Sequence, residues 1–396
     1  MQPLPYWRLS GYYFFHFACI GAFSPYFGLY LESLAFSAWD IGLLMSQLPL
    51  MRLLAPYLWG ALADRLVHRL PAVRLAAALG LMSFSAFFLA RSFAAMLMAM
   101  ALFAFFWSAA LPLVETVTFA HLRDNPGRYS RIRVWGSIGF IVAVMATGAL
   151  LDGSGLPRLL WVIFALLSST LLCAVLVPEP VELAAGAAQA QAIVDILRQP
   201  RVRALFAACF AMSAAHGALY VFYSIHLANH QYSTLSVGSL WSLGVLAEIA
   251  VFFFMIDLLR RYGLRTILLV CFAAAGIRFL VIGWCVDHWP LILLAQLLHG
   301  LTFGAYHAAA IAAVNRWFPG NCQARGQALY SSVSFGAGGL LGGLLSGWSW
   351  ERLGAGPTYT LSATFALVGL LFVARWIQPS DLVEVGAGHT RRVARS

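Results

Sequence analysis

The sequence predicts an all-α integral membrane protein of twelve transmembrane helices, arranged as two pseudo-symmetric halves of six. Two observations predict this fold class before any motif is considered. The 396-residue chain is 61% hydrophobic and only 10% charged, whereas a soluble domain is about 45–50% apolar and about 25% charged. In addition, the apolar residues fall into long runs, and the charges lie in short clusters between them. That arrangement is typical of membrane-spanning helices joined by surface loops.

Twelve apolar runs are long enough to cross a bilayer, which takes about 20 residues of helix. Because the bilayer interior offers no water to the backbone, each run is expected to satisfy its own N–H and C=O groups as a helix. We name these runs spans one to twelve. In chain order they cover residues 7–31, 38–63, 72–91, 93–121, 130–152, 157–178, 201–227, 234–259, 265–286, 290–318, 323–350 and 355–377.

A longer polar segment, which begins PEP at residues 178–180, separates spans six and seven. We read it as a linker that contains one short surface helix. The four predicted parts are an N-terminal half at 1–178, a cytoplasmic linker at 179–200, a C-terminal half at 201–377 and a cytoplasmic tail at 378–396. The two halves also resemble each other weakly. A shift of 196 residues places Ser37 on Ser233 and Gly42 on Gly238, as expected of parallel repeats.

The arginines predict the orientation. All 25 basic residues are Arg; with the N-terminus inside, nineteen lie in predicted inner segments and three in predicted outer loops. Since cytoplasmic loops are enriched in basic residues, both termini are expected in the cytoplasm. The absence of Lys excludes a P-loop lysine and a Schiff-base lysine. The net charge of +10 does not indicate nucleic-acid binding, because it sits in short loops between apolar runs.

The loop after span two reads GALADRLVHR at residues 60–69. It resembles the G-x-L-A-D-R-x-G-R-R/K signature of the major facilitator transporters, with Val67 at a position where that family usually has Gly. An ordinary positive-inside loop is the alternative interpretation. The resemblance implies a conformational motif made of Gly60, Asp64, Arg65 and Arg69.

Two other regions narrow this resemblance. Glu115 in the span-four sequence PLVE, and Arg133 in the span-five sequence YSRIRVWG, look like the lactose-permease branch. In that branch a Glu and an Arg at these positions contact substrate. The sequences LHGLTFGAYHAA at 298–309 and GQALYS at 326–331 are similar to the 3-phenylpropionate permease group of the branch. The resemblance covers nearly the whole chain.

The sequence departs from lactose permease in span ten. His299 and Arg278 match a His and an Arg of that protein, but Thr302 stands where it has its proton-carrying Glu. Glu248 lies about one turn from the position of another functional Glu. Sugar specificity therefore does not carry over, and proton coupling carries over only as an expectation.

Five charged residues lie inside the predicted spans, where a charge costs at least about 2.5–3.5 kcal/mol unless it is paired or hydrated. They are Arg52, Glu115, Arg133, Glu248 and Arg278. Three are positive and two negative, so we expect one surplus cation that an anionic substrate can neutralise. An arginine fork matches a carboxylate bidentately. The alternative is a set of structural ion pairs, with Arg133 too close to the cytoplasmic end to reach the site.

Proton coupling has four candidate residues. His299 and His307 titrate near neutral pH and can relay a proton, although a buried His is more often only hydrogen-bonded. Glu248 and Glu115 can accept the coupling proton. A substrate that competes for a neighbouring Arg would leave the carboxylate free to take up that proton.

Aromatic residues supply candidates for stacking on an aromatic substrate. At about 100° per residue, His299, Thr302 and Tyr306 share one face of span ten. Tyr306 is therefore grouped with Tyr220 and Tyr223 of span seven as predicted substrate contacts. Most aromatic residues of such a chain instead face lipid or form interfacial belts.

The leading interpretation is a proton-coupled symporter of a small organic solute, best an aromatic carboxylate such as 3-phenylpropionate, that works by alternating access. Two alternatives stay open: proton-driven efflux of a hydrophobic compound, and symport of a sugar or nucleoside. The sequence contains no G-x-S-x-G, H-E-x-x-H or ATP-binding motif and no CxxC pair, so neither an enzyme nor a metal or cofactor site is expected. We expect a monomer in a bacterial inner membrane, with substrate, protons and lipid as its partners.

Overall fold

The computed structural model describes residues 4–65, 70–122, 126–180 and 193–378. Within these residues the chain is helical and contains no strand. The spans are formed by Tyr6–Ser33; Ala38–Met45 with Gln47–Arg65; Leu70–Ser85; Phe93–His121; Tyr129–Ser154; Arg158–Leu176; Pro200–Ala215 with Gly217–Asn229; Thr234–Trp284; Trp289–Leu297 with Gly300–Ala305 and Tyr306–Trp317; Gln323–Ser331 with Ser332–Gly338 and Gly339–Leu353; and Ala355–Trp376.

Spans eight and nine lie within one continuous helical stretch, Thr234–Trp284, so the described residues contain 11 apolar helices of spanning length. At about 1.5 Å per residue this stretch is more than twice as long as the hydrocarbon core is thick. Gly263 interrupts it with φ 73° and ψ 160°, a backbone conformation that favours glycine. The chain turns at this residue, and the prediction of twelve spans is confirmed.

Among the described residues, the halves meet mainly through three pairs of spans: one with seven, two with eleven, and five with eight. One close backbone approach joins Gly42 of span two to Gly347 of span eleven. A Cβ atom added to Gly42 would lie 2.7 Å from the Gly347 Cα, so no larger residue fits without moving the backbone. Small residues permit this kind of close contact between membrane helices. The weak repeat also has a structural counterpart, because Ser37 and Ser233 are both helix N-caps.

The predicted domain bounds remain predictions. Helix Ile193–Arg198 falls inside the predicted linker, but residues 181–192 and 379–396 lie outside the described part of the chain. The predicted conformational motif is only partly covered. Gly60 lies within the second helix of span two, and Asp64 and Arg65 end that helix. The side chains of these last two residues, and Arg69 altogether, are not among the described features.

Candidate functional site between the two halves

The N-terminal half presents Arg133 from the first turns of span five. Its guanidinium carbon lies 3.9 Å from the centre of the Phe17 ring, a cation–π contact. Gly136, one turn later, makes room for it, since a Cβ there would lie 2.9 Å from an Arg133 nitrogen. Glu115 interacts electrostatically with Arg133 and accepts a 2.9 Å hydrogen bond from the Tyr129 hydroxyl.

Arg52 and Tyr220 have exposed side chains although both residues lie within membrane-spanning helices. Arg52 lies well within the helices of span two, yet its side chain is exposed. Tyr220 is 38% exposed, although every other residue from Gly217 to Leu227 is buried. Its ring stacks on Trp241 of span eight, 6.1 Å away. Since the two side chains also interact electrostatically across the halves, we infer that they face one shared cavity between the halves.

The C-terminal half places Glu248 of span eight against His299 of span ten. Glu248 Oε2 lies 4.0 Å from His299 Nε2. The two helices come this close because of Gly300 and Gly304. A Cβ on Gly300 would lie 2.7 Å from the Ala247 carbonyl oxygen, and one on Gly304 would lie 3.1 Å from the Glu248 Cγ. Residues Gly300–Ala305 form a π-helical segment, a local deformation often found at functional sites.

Electrostatic interactions connect the two halves across this cavity. Arg133 interacts with Glu248 and with His307, both from the C-terminal half. Neither Arg133 nor Arg52 has a carboxylate within 4.0 Å or donates a hydrogen bond among the described residues. Both guanidinium groups therefore keep donors available to a bound molecule.

Arg278 of span nine is held differently, because its side chain is only 1% exposed. Nε donates to the Ala295 carbonyl oxygen at 2.9 Å, one terminal nitrogen to Thr302 Oγ1 at 3.1 Å and the other to Gln296 Oε1 at 3.4 Å. Gln296 Nε2 in turn donates to the Tyr223 hydroxyl at 2.6 Å. Neutral oxygens thus surround this charge and fix spans seven, nine and ten to one another.

Two other predicted residues, Tyr223 and Tyr306, are enclosed in this conformation, whereas His307 is half-buried. Tyr223 and Tyr306 are 1% and 2% exposed, and the Tyr306 hydroxyl donates to the Cys209 carbonyl oxygen at 3.4 Å. His307 Nδ1 lies 2.9 Å from the Tyr330 hydroxyl. Their predicted contacts with substrate or proton stay predictions, as does that of Arg278.

The three residues predicted to share one face of span ten contact different partners. His299 lies against Glu248, Thr302 bonds Arg278, and Tyr306 bonds the backbone of span seven. The reason is the π-helical segment between His299 and Tyr306, which adds residues to each turn and shifts the register that an α-helix would keep.

Sequence reasoning missed one feature of this region and gave little weight to another. Gln296 links Arg278 to Tyr223, and a polar amide inside an apolar span was the signal that could have found it. His16 of span one stacks on Trp107 with ring centres 4.4 Å apart, and its Nδ1 has no described partner. It interacts electrostatically with Arg133 and Arg52.

An apolar groove of about 290 Å³ lies elsewhere, between spans one, five and six. None of the predicted site residues lines it. Its walls are almost entirely hydrocarbon, for example Val142, Leu150 and Leu166. Such a surface suits lipid chains and lacks the groups that would bind a charged solute.

Known proteins agree with this architecture. The sequence profile of the MFS_1 like family matches residues 6–361. The chain is 28% identical to the probable 3-phenylpropionic acid transporter of Escherichia coli (strain K12), over 94% of this chain and 98% of that protein. It is 29% identical to the maltose permease of Geobacillus stearothermophilus, over 91% of each.

A solved structure gives the same picture of the fold. The crystal structure of the nucleoside transporter NupG superposes with a TM-score of 0.81 at 19% identity, over 94% of this chain and 99% of that one. The relatives and the fold are those of multi-pass membrane transporters rather than enzymes. The predicted resemblance is confirmed, and the chain belongs to the MFS_1 like family of the major facilitator transporters.

Proposed function

We propose that this transporter carries a small organic anion into the cell together with protons, by alternating access. The best candidate for the substrate is an aromatic carboxylate such as 3-phenylpropionate. One observation carries the proposal: Arg52 and Arg133, which have no carboxylate within 4.0 Å among the described residues, face the cavity that Tyr220 and Glu248 border from the other half. An arginine pair offers two forks to a carboxylate, and Tyr220 with Trp241 offers an aromatic surface beside it.

Proton coupling follows from competition for Arg133. With the cavity empty, the Arg133 cation attracts the Glu248 carboxylate across the halves. A substrate carboxylate that binds Arg133 removes this attraction. Glu248 then takes up a proton, which His299, 4.0 Å away, can relay. The substrate charge and the carboxylate charge are then both neutralised, and the loaded halves can rearrange around a site near the midplane. Release of the substrate restores the Arg133–Glu248 interaction and expels the proton.

The arginine distribution supports a location in a bacterial inner membrane with both termini in the cytoplasm. We propose a monomer that needs no partner other than substrate, protons and lipid. The linker at 179–200 and the tail at 378–396 belong to the cytoplasmic surface in this arrangement. The motif of Gly60, Asp64, Arg65 and Arg69 lies at the same surface, where it acts in the conformational change.

Symport of a sugar or nucleoside is the second candidate, because similar proteins include transporters of such solutes as well. A maltose permease and a nucleoside transporter share this fold with similar coverage. These solutes are uncharged, so they would leave Arg52 and Arg133 without a counter-charge. The two candidates therefore differ in whether a negative group on the solute is required.

The test uses the full chain in proteoliposomes with an imposed pH gradient. Uptake is compared for 3-phenylpropionate, its uncharged amide, maltose and uridine. The proposal expects accumulation of the acid alone, lost when a protonophore collapses the gradient. Accumulation of maltose or uridine in preference to the acid would discard the anion and support the second candidate. Acid that accumulates in inside-out vesicles but not in right-side-out vesicles would instead indicate efflux.

The coupling step has its own variant, Glu248→Gln, which cannot ionise. We expect it to exchange internal for external substrate at nearly the wild-type rate but to lose accumulation driven by the pH gradient. Glu115→Gln is the matched variant in the other half, where the carboxylate is already held by Tyr129. If Glu248→Gln still accumulates substrate while Glu115→Gln does not, the proton site lies in the N-terminal half.

A further inference from the structure

Two carboxylates reach across the halves at the end of the bundle that the arginines place outside, here called the outer end. Asp152, at the outer end of span five, accepts hydrogen bonds from the backbone N–H groups of Thr234 at 2.7 Å and Leu235 at 3.2 Å. These are the first two residues of span eight. Glu351, at the outer end of span eleven, accepts the backbone N–H of Trp39 at 2.7 Å, which is the second residue of span two.

The two contacts are related by the internal repeat. The shift of 196 residues that places Ser37 on Ser233 also places Trp39 on Leu235. Each serine caps its own helix, since its hydroxyl oxygen accepts an N–H three residues later. The amide at the second helical position is left over in both helices, and in both it bonds a carboxylate of the opposite half.

Helix starts provide a strong reason for this arrangement. The first N–H groups of a helix have no partner within the helix, and the partial positive charge there favours a carboxylate. Each of the two helices therefore gains a charged acceptor only when the other half is present. Close backbone contacts surround both points. A Cβ on Gly148 would lie 2.7 Å from the Thr234 carbonyl oxygen, and a Cβ on Gly42 would lie 2.7 Å from the Gly347 Cα.

We infer that Asp152 and Glu351 form a two-point latch that holds the outer ends of the halves together and stabilises the conformation closed to the outside. Opening the outer side by alternating access separates span five from span eight and span two from span eleven, so both carboxylate–amide contacts break in the same step. The inference rests on the proposed alternating access but on no particular substrate. If the aromatic acid were not transported, the inference about the latch would still stand.

The experiment is hydrogen–deuterium exchange of the full chain in lipid nanodiscs, without substrate, in wild type and in the variants Asp152→Ala and Glu351→Ala, which remove the acceptor oxygens. It follows the first turns of span two (residues 38–42) and span eight (residues 234–239). A latch couples the two points, so each variant is expected to speed exchange at both turns. Loss of a helix cap changes an opening equilibrium by about tenfold, and a change of that order is expected at the distant turn as well.

Asp287→Ala is the matched control. Asp287 is also predicted to be outside, but its carboxylate lies near His230 of its own half, at 3.9 Å, so neither turn should change. Leu235→Pro tests the Asp152 contact in a second way, because it removes an N–H that bonds this carboxylate. Proline is tolerated in the first turn of a helix. Faster exchange confined to the turn that each variant itself uncaps would reduce both contacts to local caps and overturn the latch, as would no change at either turn.

Discussion

The two halves treat an arginine at membrane depth in opposite ways. Arg278 of the C-terminal half is enclosed and donates to the Ala295 carbonyl, Thr302 and Gln296. Arg133 of the N-terminal half is partly exposed, rests on the face of Phe17 and donates no hydrogen bond to a described residue. An enclosed charge whose donors are used stabilises the protein, whereas an accessible charge with free donors can bind a ligand.

Two tyrosines of span seven show the same contrast between an enclosed and an accessible side chain. Tyr220 and Tyr223 lie three residues apart on span seven, and both rings lie near Trp241. Tyr223 is enclosed and receives the Gln296 amide, while Tyr220 faces the cavity. Position in the membrane is therefore a weak guide to role. Access to the cavity and the state of the hydrogen bonds separate structural residues from candidate binding residues.

The largest effect is expected from Arg278→Ala. The substitution leaves three buried acceptors without their donor, and each unsatisfied group costs about 1–3 kcal/mol. We expect a loss of about 3–5 kcal/mol in stability, visible as a fall of many degrees in the thermal-shift midpoint. Arg158→Ala is the control, because this arginine is exposed in a predicted outer loop and should change stability by less than about 0.5 kcal/mol.

A different result would move Arg278 into the binding site. If Arg278→Ala were as stable as Arg158→Ala and lost only substrate affinity, the enclosed guanidinium would have to become free in another conformation of the cycle. The contrast between the two halves would then hold only for the conformation described here.

Arg133→Ala should have the next largest effect, on binding rather than on stability. A hydrogen bond to a charged group contributes about 1.5–3 kcal/mol, so KM for the acid should rise about 10- to 100-fold with an unchanged thermal midpoint. Arg133→Lys keeps the charge but cannot bind a carboxylate bidentately, so its KM should lie between those of the wild type and Arg133→Ala. Arg131→Ala, two residues away and exposed, should transport normally. Normal uptake by Arg133→Ala would remove this arginine from the site.

Hydropathy and arginine placement were sufficient to predict the spans, because lipid imposes helix on every long apolar run. The motifs around Glu115, Arg133 and His299 were sufficient to predict the family. The roles of individual polar residues were not predictable. The Gln296 bridge depends on side-chain directions across three spans, and the π-helical segment at Gly300 changes the register that a regular helix implies. The access of Arg52 and Tyr220 to the cavity depends on how the two halves are placed relative to each other.

The smallest effect concerns the aromatic ring of the substrate. If Tyr220 stacks on that ring, Tyr220→Leu should weaken 3-phenylpropionate more than its saturated analogue, 3-cyclohexylpropionate. An aromatic pair contributes about 0.5–1.5 kcal/mol beyond burial, so the ratio of the two KM values should shift about two- to tenfold. Phe253→Leu is the control, since Phe253 of span eight is 81% exposed and should leave the ratio unchanged. Equal weakening of both acids would show that Tyr220 contributes apolar area alone, and the preference for an aromatic carboxylate would then need another source.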